Sequence, residues 1–291
     1  MDRRAGMKIA SYSIGGAARA LGIVEGDGLI AASQRLPGSP TGLIALMEDW
    51  EALKSRYDAL TGTPRDHALA DVTLHAPVAR PGKILGIGLN YADHADEAKG
   101  LIEIPTEQLW FAKQQTSVND PYASIQLPKV SSALDYEAEL VFIIGKRIRH
   151  ATREQAKGAI FGYCVGNDVS VRDWQFKTSQ VMMGKSFDTH APFGPWVVTG
   201  DSIDPHELDI RCLVNGEERQ HSNTRHFIFD CYDQVAFLSQ AMTLEPGDTF
   251  FTGTPAGVGA VMKPPKWLAA GDVVRVEIEG IGSIENVVRP E

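Results

Sequence analysis

Cysteine is scarce in this chain: Cys164, Cys212 and Cys231 are the only three in 291 residues. They are odd in number, widely spaced and outside any C-x-x-C, so they form no disulfide framework and read as reduced core thiols. Positive charge is in deficit as well. A formal net charge of −9 disfavours nucleic acid and anionic membrane surfaces as partners. No apolar run approaches the roughly 18 residues that cross a bilayer. The opening "MDRRAGMKIASYSIGG" has two arginines with no continuous apolar segment behind them, so no secretory signal is expected. These features predict a cytoplasmic protein. Two glycine-rich runs fail as nucleotide loops. "GIGLNY" lacks the third glycine of a dinucleotide fingerprint, and "GTPAGVG" lacks the Gly-Lys-Ser/Thr of a P-loop.

What is present is strand signal. Lys8–Ser13, Arg19–Val24 and Leu29–Ala32 read as short strands, followed by one helix carrying Leu43, Leu46, Met47, Trp50, Leu53, Tyr57 and Leu60 on its apolar stripe behind a Thr41 cap. Residues 1–75 form a small domain on this reading, and 76–291 a larger one. In the larger part, "KILGIGLN", "DYEAELVFIIG" and "AIFGYCVGND" are strands. Thr152 and Gln155 form a capping box for a short helix. Asn215-Gly216 suits a type I′ hairpin turn, and Cys231, Val235, Leu238 and Met242 share a helix face behind an Asp230 cap. Many short strands, few helices and no βα alternation predict a mixed, β-rich sandwich, roll or barrel.

The chemistry starts at "DYEAELVFIIG". Glu137 and Glu139, two apart, share one face of a strand whose remaining residues are apolar on both sides. Neighbouring buried carboxylates repel and are costly to desolvate. Asp168 ends a strand 29 residues after Glu139, within reach of a strand–helix–strand return. Three carboxylates without histidine or cysteine make a hard-oxygen site for Mg²⁺ or Mn²⁺ rather than Zn²⁺. Pairing of the two glutamates with lysine or arginine is the other reading, and spacing alone leaves both open. Lys185, in "MMGKSFDTHAPFGPW", is placed to meet a carboxylate or a developing enolate, or else is a solvated loop lysine. Arg172 and Gln175 lie three apart on one helical turn. His94 and Glu97, also three apart, make a base and its orienting carboxylate if their segment is helical, or an ordinary surface pair. The "GTPAGVG" run offers backbone N–H groups and the Thr254 hydroxyl to a small carboxylate.

The ordered set "GLNYADHADE", "DYEAELVFIIG", "GYCVGNDVSVRDWQ", "GKSFDTHAPFGPW", "LVNGEERQ", "LEPGDTFFTGTPAGVG" and "GDVVRVEIEGIG" resembles the fumarylacetoacetate hydrolase family across roughly residues 76–291. The resemblance implies a β-sandwich roll with a small N-terminal α+β domain, assembled as a homodimer. It implies a divalent metal, Mg²⁺ or Mn²⁺, on Glu137, Glu139 and Asp168, with Lys185 close by. Arg172, Gln175 and Thr254 would contact substrate, and the segment of His94 and Glu97 would be a lid. One departure stands out. Gln114 and Gln115 follow Lys113 where many members carry prolines, in a loop that borders the pocket in relatives.

The function so implied is metal-dependent hydrolysis of the C–C bond of an acylpyruvate, of the maleylpyruvate or fumarylpyruvate kind found in aromatic catabolism, with release of pyruvate. His94, oriented by Glu97, would deprotonate water, while Lys185 and the metal stabilise the departing enolate. Alternatives are decarboxylation of oxaloacetate or a related β-keto acid, hydrolysis of a diketo-deoxy sugar acid, and an inactive metal-dependent binding protein. In each enzymatic case the partner is a small 2-oxo acid.

Overall fold

The computed structural model describes residues 6–92 and 105–291. Its centre is a large, mostly antiparallel sheet of twelve strands. Strand Ala138–Ile144 lies inside it, between Ile160–Asn167 on one side and Thr249–Phe251 on the other. Beyond Ile160–Asn167 comes Ala191–Thr199, which pairs in turn with Lys8–Ser13. The N-terminal strands therefore extend the same sheet that carries the glutamates. At the far end, Leu109–Ala112 is an outermost strand, paired with Ile84–Gly88. A second sheet of five strands runs in the order Glu217–Asn223, Asp209–Val214, Val273–Ile278, Gly282–Pro290, Ile125–Leu127.

This layering explains why both faces of the central strand are apolar. Leu140, Phe142 and Ile144 pack with Ile210, Val274 and Val276 of the smaller sheet. Val141 and Ile143 point the other way, to Ile9, Leu46, Tyr57 and Phe251. A strand enclosed by two layers has no solvent side, so its alternation separates two cores instead of core from water. Phe142 stacks on Phe250 across the ladder, with ring centroids 4.9 Å apart.

Local signals are mostly borne out. Thr152 Oγ1 accepts the N–H of Gln155 and the Gln155 side chain accepts that of Thr152, starting the helix Arg153–Ala159. Asn215 and Gly216 take φ of 54° and 79°, both in the left-handed region that a type I′ turn requires. Asp230 accepts from the N–H groups of Tyr232 and Asp233 at the head of Cys231–Ala241. The single helix expected from Leu43 to Leu60 is instead two, Leu43–Glu48 and Trp50–Asp58. Asp49, at φ −102° and ψ 9°, leaves helical geometry between them. The break lets Trp50 pack edge-on against Phe161 at 5.1 Å and Tyr57 at 5.8 Å. Gly42 rather than Thr41 is the N-cap, without a side-chain bond.

His190, just before Ala191–Thr199, is fully buried and stacks on Phe187 at 5.5 Å. One ring nitrogen, Nε2, bonds the Gln126 carbonyl at 2.8 Å. Burial pushes its pKa from 6.5 down to about 4. Between those values the unfolded chain takes up a proton and the folded one does not. Stability should therefore be fully present above about pH 6.5 and fall as the pH drops toward 4, by up to about 3 kcal/mol from this residue. Urea unfolding of the wild type and of His190→Phe across that range checks this. The variant should lose most of the slope, and equal slopes would exclude His190 as its source.

Candidate metal centre

Three local decisions bring the carboxylates together. The antiparallel ladder pairs Ala138 with Asn167 and Glu139 with Gly166. The next rung puts Asp168 opposite Glu137, and Asp168 N–H bonds the Glu137 carbonyl at 2.9 Å. The strand expected to run from residue 135 is interrupted here. Leu134–Asp135 pairs separately with Ser170–Val171, and the main strand starts at Ala138. The cause is two side-chain amides. Asn167 Oδ1 takes the N–H of Glu137 and Gln220 Oε1 takes that of Ala138, both at 2.9 Å, so these donors leave the ladder.

Glu137, Glu139 and Asp168 each offer one ligand oxygen, all within 4.8 Å of one another, and all three residues are buried. Lys185 Nζ bridges two of them, 2.6 Å from Glu137 Oε2 and 2.8 Å from Asp168 Oδ2. Lys113 Nζ is 2.5 Å from Asp168 Oδ1. Arg172 reaches Glu137 Oε1 at 2.7 Å through Nη1 and Asp135 Oδ2 at 2.8 Å through Nε. Glu139 makes no ion pair among the described residues and accepts the Gly253 N–H at 2.8 Å. Gly253, at φ 93°, adopts a backbone conformation that side chains disfavour.

Electrostatics follow from this arrangement. Burial, then Asp168 and Glu137, raises the Glu139 carboxyl well above the usual range. Burial also opposes ionisation of Glu137, but Lys185 and Arg172 outweigh it and hold that carboxyl low. Burial works against the Lys185 ammonium, yet Asp168 and Glu137 leave its pKa raised. For Lys113 burial wins and the pKa is lowered. By formal count, Asp135, Glu137, Glu139 and Asp168 face Lys113, Lys185 and Arg172, four negative charges against three positive. A divalent cation among the three converging oxygens would turn that excess of one negative charge into one positive. The donor set fits a hard ion of the Mg²⁺ or Mn²⁺ type.

The sequence-predicted residues thus meet in part. Lys185 closes the one-turn helix Met182–Lys185 and is a buried lysine in contact with two carboxylates, not a solvated loop lysine. That helix sits hard against Arg172–Gln175, since a Cβ on Gly184 would come within 2.4 Å of Gln175 N. Gln175 Oε1 accepts from Arg172 Nη1 at 2.9 Å. Thr254 follows Gly253 and is buried. His94 and Glu97 lie outside the described residues. Two members were not assigned to the centre from the sequence. Asp135 had a signal, because it precedes Glu137 by the same two-residue step that separates the glutamates. Lys113 had only the aromatic-x-Lys pattern at the end of a strand.

Comparison with known proteins agrees with this picture. A family model described as fumarylacetoacetate (FAA) hydrolase C-terminal matches residues 83–289. An oxaloacetate tautomerase of Xenopus laevis is 42% identical over 272 residues, 92% of this chain and 85% of that protein. Maleylpyruvate hydrolase from Sphingobium sp. SYK-6, solved with manganese(II) and pyruvate, superposes with a TM-score of 0.82 at 32% identity, covering 98% of this chain and 99% of that one. A 5-carboxymethyl-2-hydroxymuconate delta-isomerase from Mycobacterium smegmatis superposes at 0.77 with 33% identity, over 98% and 99% of the two chains. The Xenopus tautomerase is mitochondrial, as are tautomerases of Rattus norvegicus, Bos taurus and Homo sapiens at 41–42% identity. This contradicts the cytoplasmic expectation, whose basis in composition does not separate one reducing compartment from another.

Replacing Glu139 by Gln removes a ligand oxygen's charge while keeping its shape and its bond to Gly253. Calorimetric titration with Mn²⁺ should show affinity lowered by roughly 10- to 100-fold or more. An unchanged isotherm would place the metal elsewhere.

Proposed function

This chain belongs to the fumarylacetoacetate hydrolase family, and we propose that it is a divalent-metal-dependent enzyme that interconverts the keto and enol forms of oxaloacetate or a close 2-oxo dicarboxylate. The observation carrying this reading is the buried Lys185 ammonium standing between two of three converging carboxylates. The likeness to oxaloacetate tautomerases supports the choice of substrate.

A bound Mg²⁺ or Mn²⁺ would act as a Lewis acid on the 2-oxo group and make the adjacent C3 protons more acidic. The chain's own residues supply the rest. Arg172 remains a cation, raised above its ordinary pKa by Glu137 and Asp135 despite burial, and is suited to a substrate carboxylate. Its Nη2 is buried without a partner among the described residues, a donor left over for a ligand. Lys185, buried beside two of the carboxylates, would set a positive charge where negative charge develops on the 2-oxo oxygen. Gln175 accepts a hydrogen bond from the Arg172 guanidinium and helps to orient it. His94 with Glu97, read from their spacing, is assigned to carry the proton between C3 and the enol oxygen.

Hydrolysis of an acylpyruvate is the second reading, favoured by the likeness to a maleylpyruvate hydrolase. It places the same demand on Lys185 but needs an attacking water at the distal carbonyl, with His94 as its base. The two part experimentally. Purified protein with Mn²⁺ should speed the enol-to-keto conversion of oxaloacetate, followed by loss of enol absorbance, without releasing pyruvate. Lys185→Met should lower kcat by roughly 10²- to 10³-fold. Metal-dependent cleavage of maleylpyruvate with no effect on oxaloacetate would replace the first reading by the second. No metal-dependent turnover of either would leave a binding protein.

A further inference from the structure

Gln220, on the Glu217–Asn223 strand, is 1% exposed and uses both ends of its amide. Its Oε1 accepts the Ala138 N–H at 2.9 Å, and its Nε2 donates to the Pro255 carbonyl at 2.9 Å. A backbone N–H only donates and a carbonyl only accepts, so these two partners determine which end of the amide is oxygen. The remaining N–H of Nε2 is then committed to Thr254 Oγ1, 2.8 Å away. The Thr254 oxygen is an acceptor on that side, and its own proton is left for donation in another direction. Thr254 is the residue after Gly253, whose N–H holds Glu139 Oε2. The same loop is pinned further back, where Thr252 N–H and Oγ1 both bond the Leu140 carbonyl.

We propose that Gln220 is a positioning residue that biases the Thr254 hydroxyl toward donating to a ligand at the metal centre. The site therefore selects a ligand presenting a carboxylate oxygen at that point over one presenting an amide or hydroxyl donor. This rests on the reading that Thr254 meets the 2-oxo acid. It adds what that reading lacks, a reason for the polarity of the contact. A threonine hydroxyl alone would serve a donor or an acceptor equally. With Gln220 behind it, one of the two acceptor lone pairs is taken and the proton is turned away from Gln220, so an acceptor oxygen of a ligand is favoured at Thr254 over a second donor. Because Gln220 also holds the peptide between Glu137 and Glu139, it ties this polarity to the strand that carries the ligands.

The test uses oxalate, a dianion that undergoes no turnover, titrated calorimetrically into the Mn²⁺-loaded full chain. Oxamate, in which an amide replaces one carboxylate, is the comparison. Thr254→Val should weaken oxalate by roughly 10- to 100-fold, the range for one hydrogen bond to a charged group, and should shrink the preference for oxalate over oxamate. Thr254→Ser should bind both like the wild type. Gln220→Glu keeps an oxygen for Ala138 but has no N–H for Thr254, so the hydroxyl turns inward. It should lose oxalate to a similar extent over and above any change in Mn²⁺ affinity, which is titrated separately, and the double variant, saturated with Mn²⁺, should be no weaker than Thr254→Val alone. Losses that multiply in the double variant would overturn the proposal. So would wild-type oxalate binding in Gln220→Glu, or no oxalate binding by the wild type. If Gln220→Glu does not fold, an oxalate-to-oxamate ratio unchanged in Thr254→Val overturns it by itself. Absence of turnover on oxaloacetate and maleylpyruvate would sink the proposed reaction while leaving these binding results standing.

Discussion

Like charges buried side by side are the constraint around which this protein is arranged. Glu137, Glu139 and Asp168 are forced together by one antiparallel rung, and none has water to spread its charge. Such a cluster survives only if cations and hydrogen-bond donors compensate it. The chain meets that demand from four separate segments. Lys113 arrives from the outermost strand, Arg172 and Lys185 from two one-turn helices, and the Gly253 amide from the loop after Thr249–Phe251. The positions of these elements, and the glycines that allow their close approach, follow from this requirement more directly than from packing.

The carboxylates are legible in the sequence because their pattern is local. A two-residue step puts Glu137 and Glu139 on one strand face, and a short capped helix returns the chain to place Asp168 beside them. The hairpin at Asn215-Gly216 and the capped helix after Asp230 are legible for the same reason. Lys113 is not, because its partner lies 55 residues away and nothing beside it marks a buried ammonium. The interruption of the strand before Ala138 is equally hidden. It depends on the amides of Asn167 and Gln220, which are ordinary polar residues until the ladder brings them close. The joining of Lys8–Ser13 to Ala191–Thr199 is decided by distant packing and leaves no periodic signal in either segment. Compartment is of another kind again, since no packing or periodic constraint encodes it.

The related proteins named above are a tautomerase, a hydrolase and an isomerase, yet each matches most of this chain in sequence or in chain trace. A centre that stabilises negative charge on a 2-oxo oxygen is useful to all three kinds of reaction. The distinction between them is more economically made by what reaches the far end of the substrate. In this chain Gln114 and Gln115 follow a lysine already committed to the centre.

The placement of Lys113 has one further consequence. The carboxylates stand on strands flanked on both sides and enclosed by two cores, whereas Lys113 follows a strand with a neighbour on one side and an exposed Leu109 at its start. The centre therefore has a fixed half and an adjustable half. A shift in the outer strand changes the positive charge beside the carboxylates through the contact of Lys113 with Asp168, while the strands that carry Glu137 and Glu139 stay enclosed. A scaffold divided in this way can acquire new specificities by small steps, each leaving a folded, metal-competent protein for the next to act on.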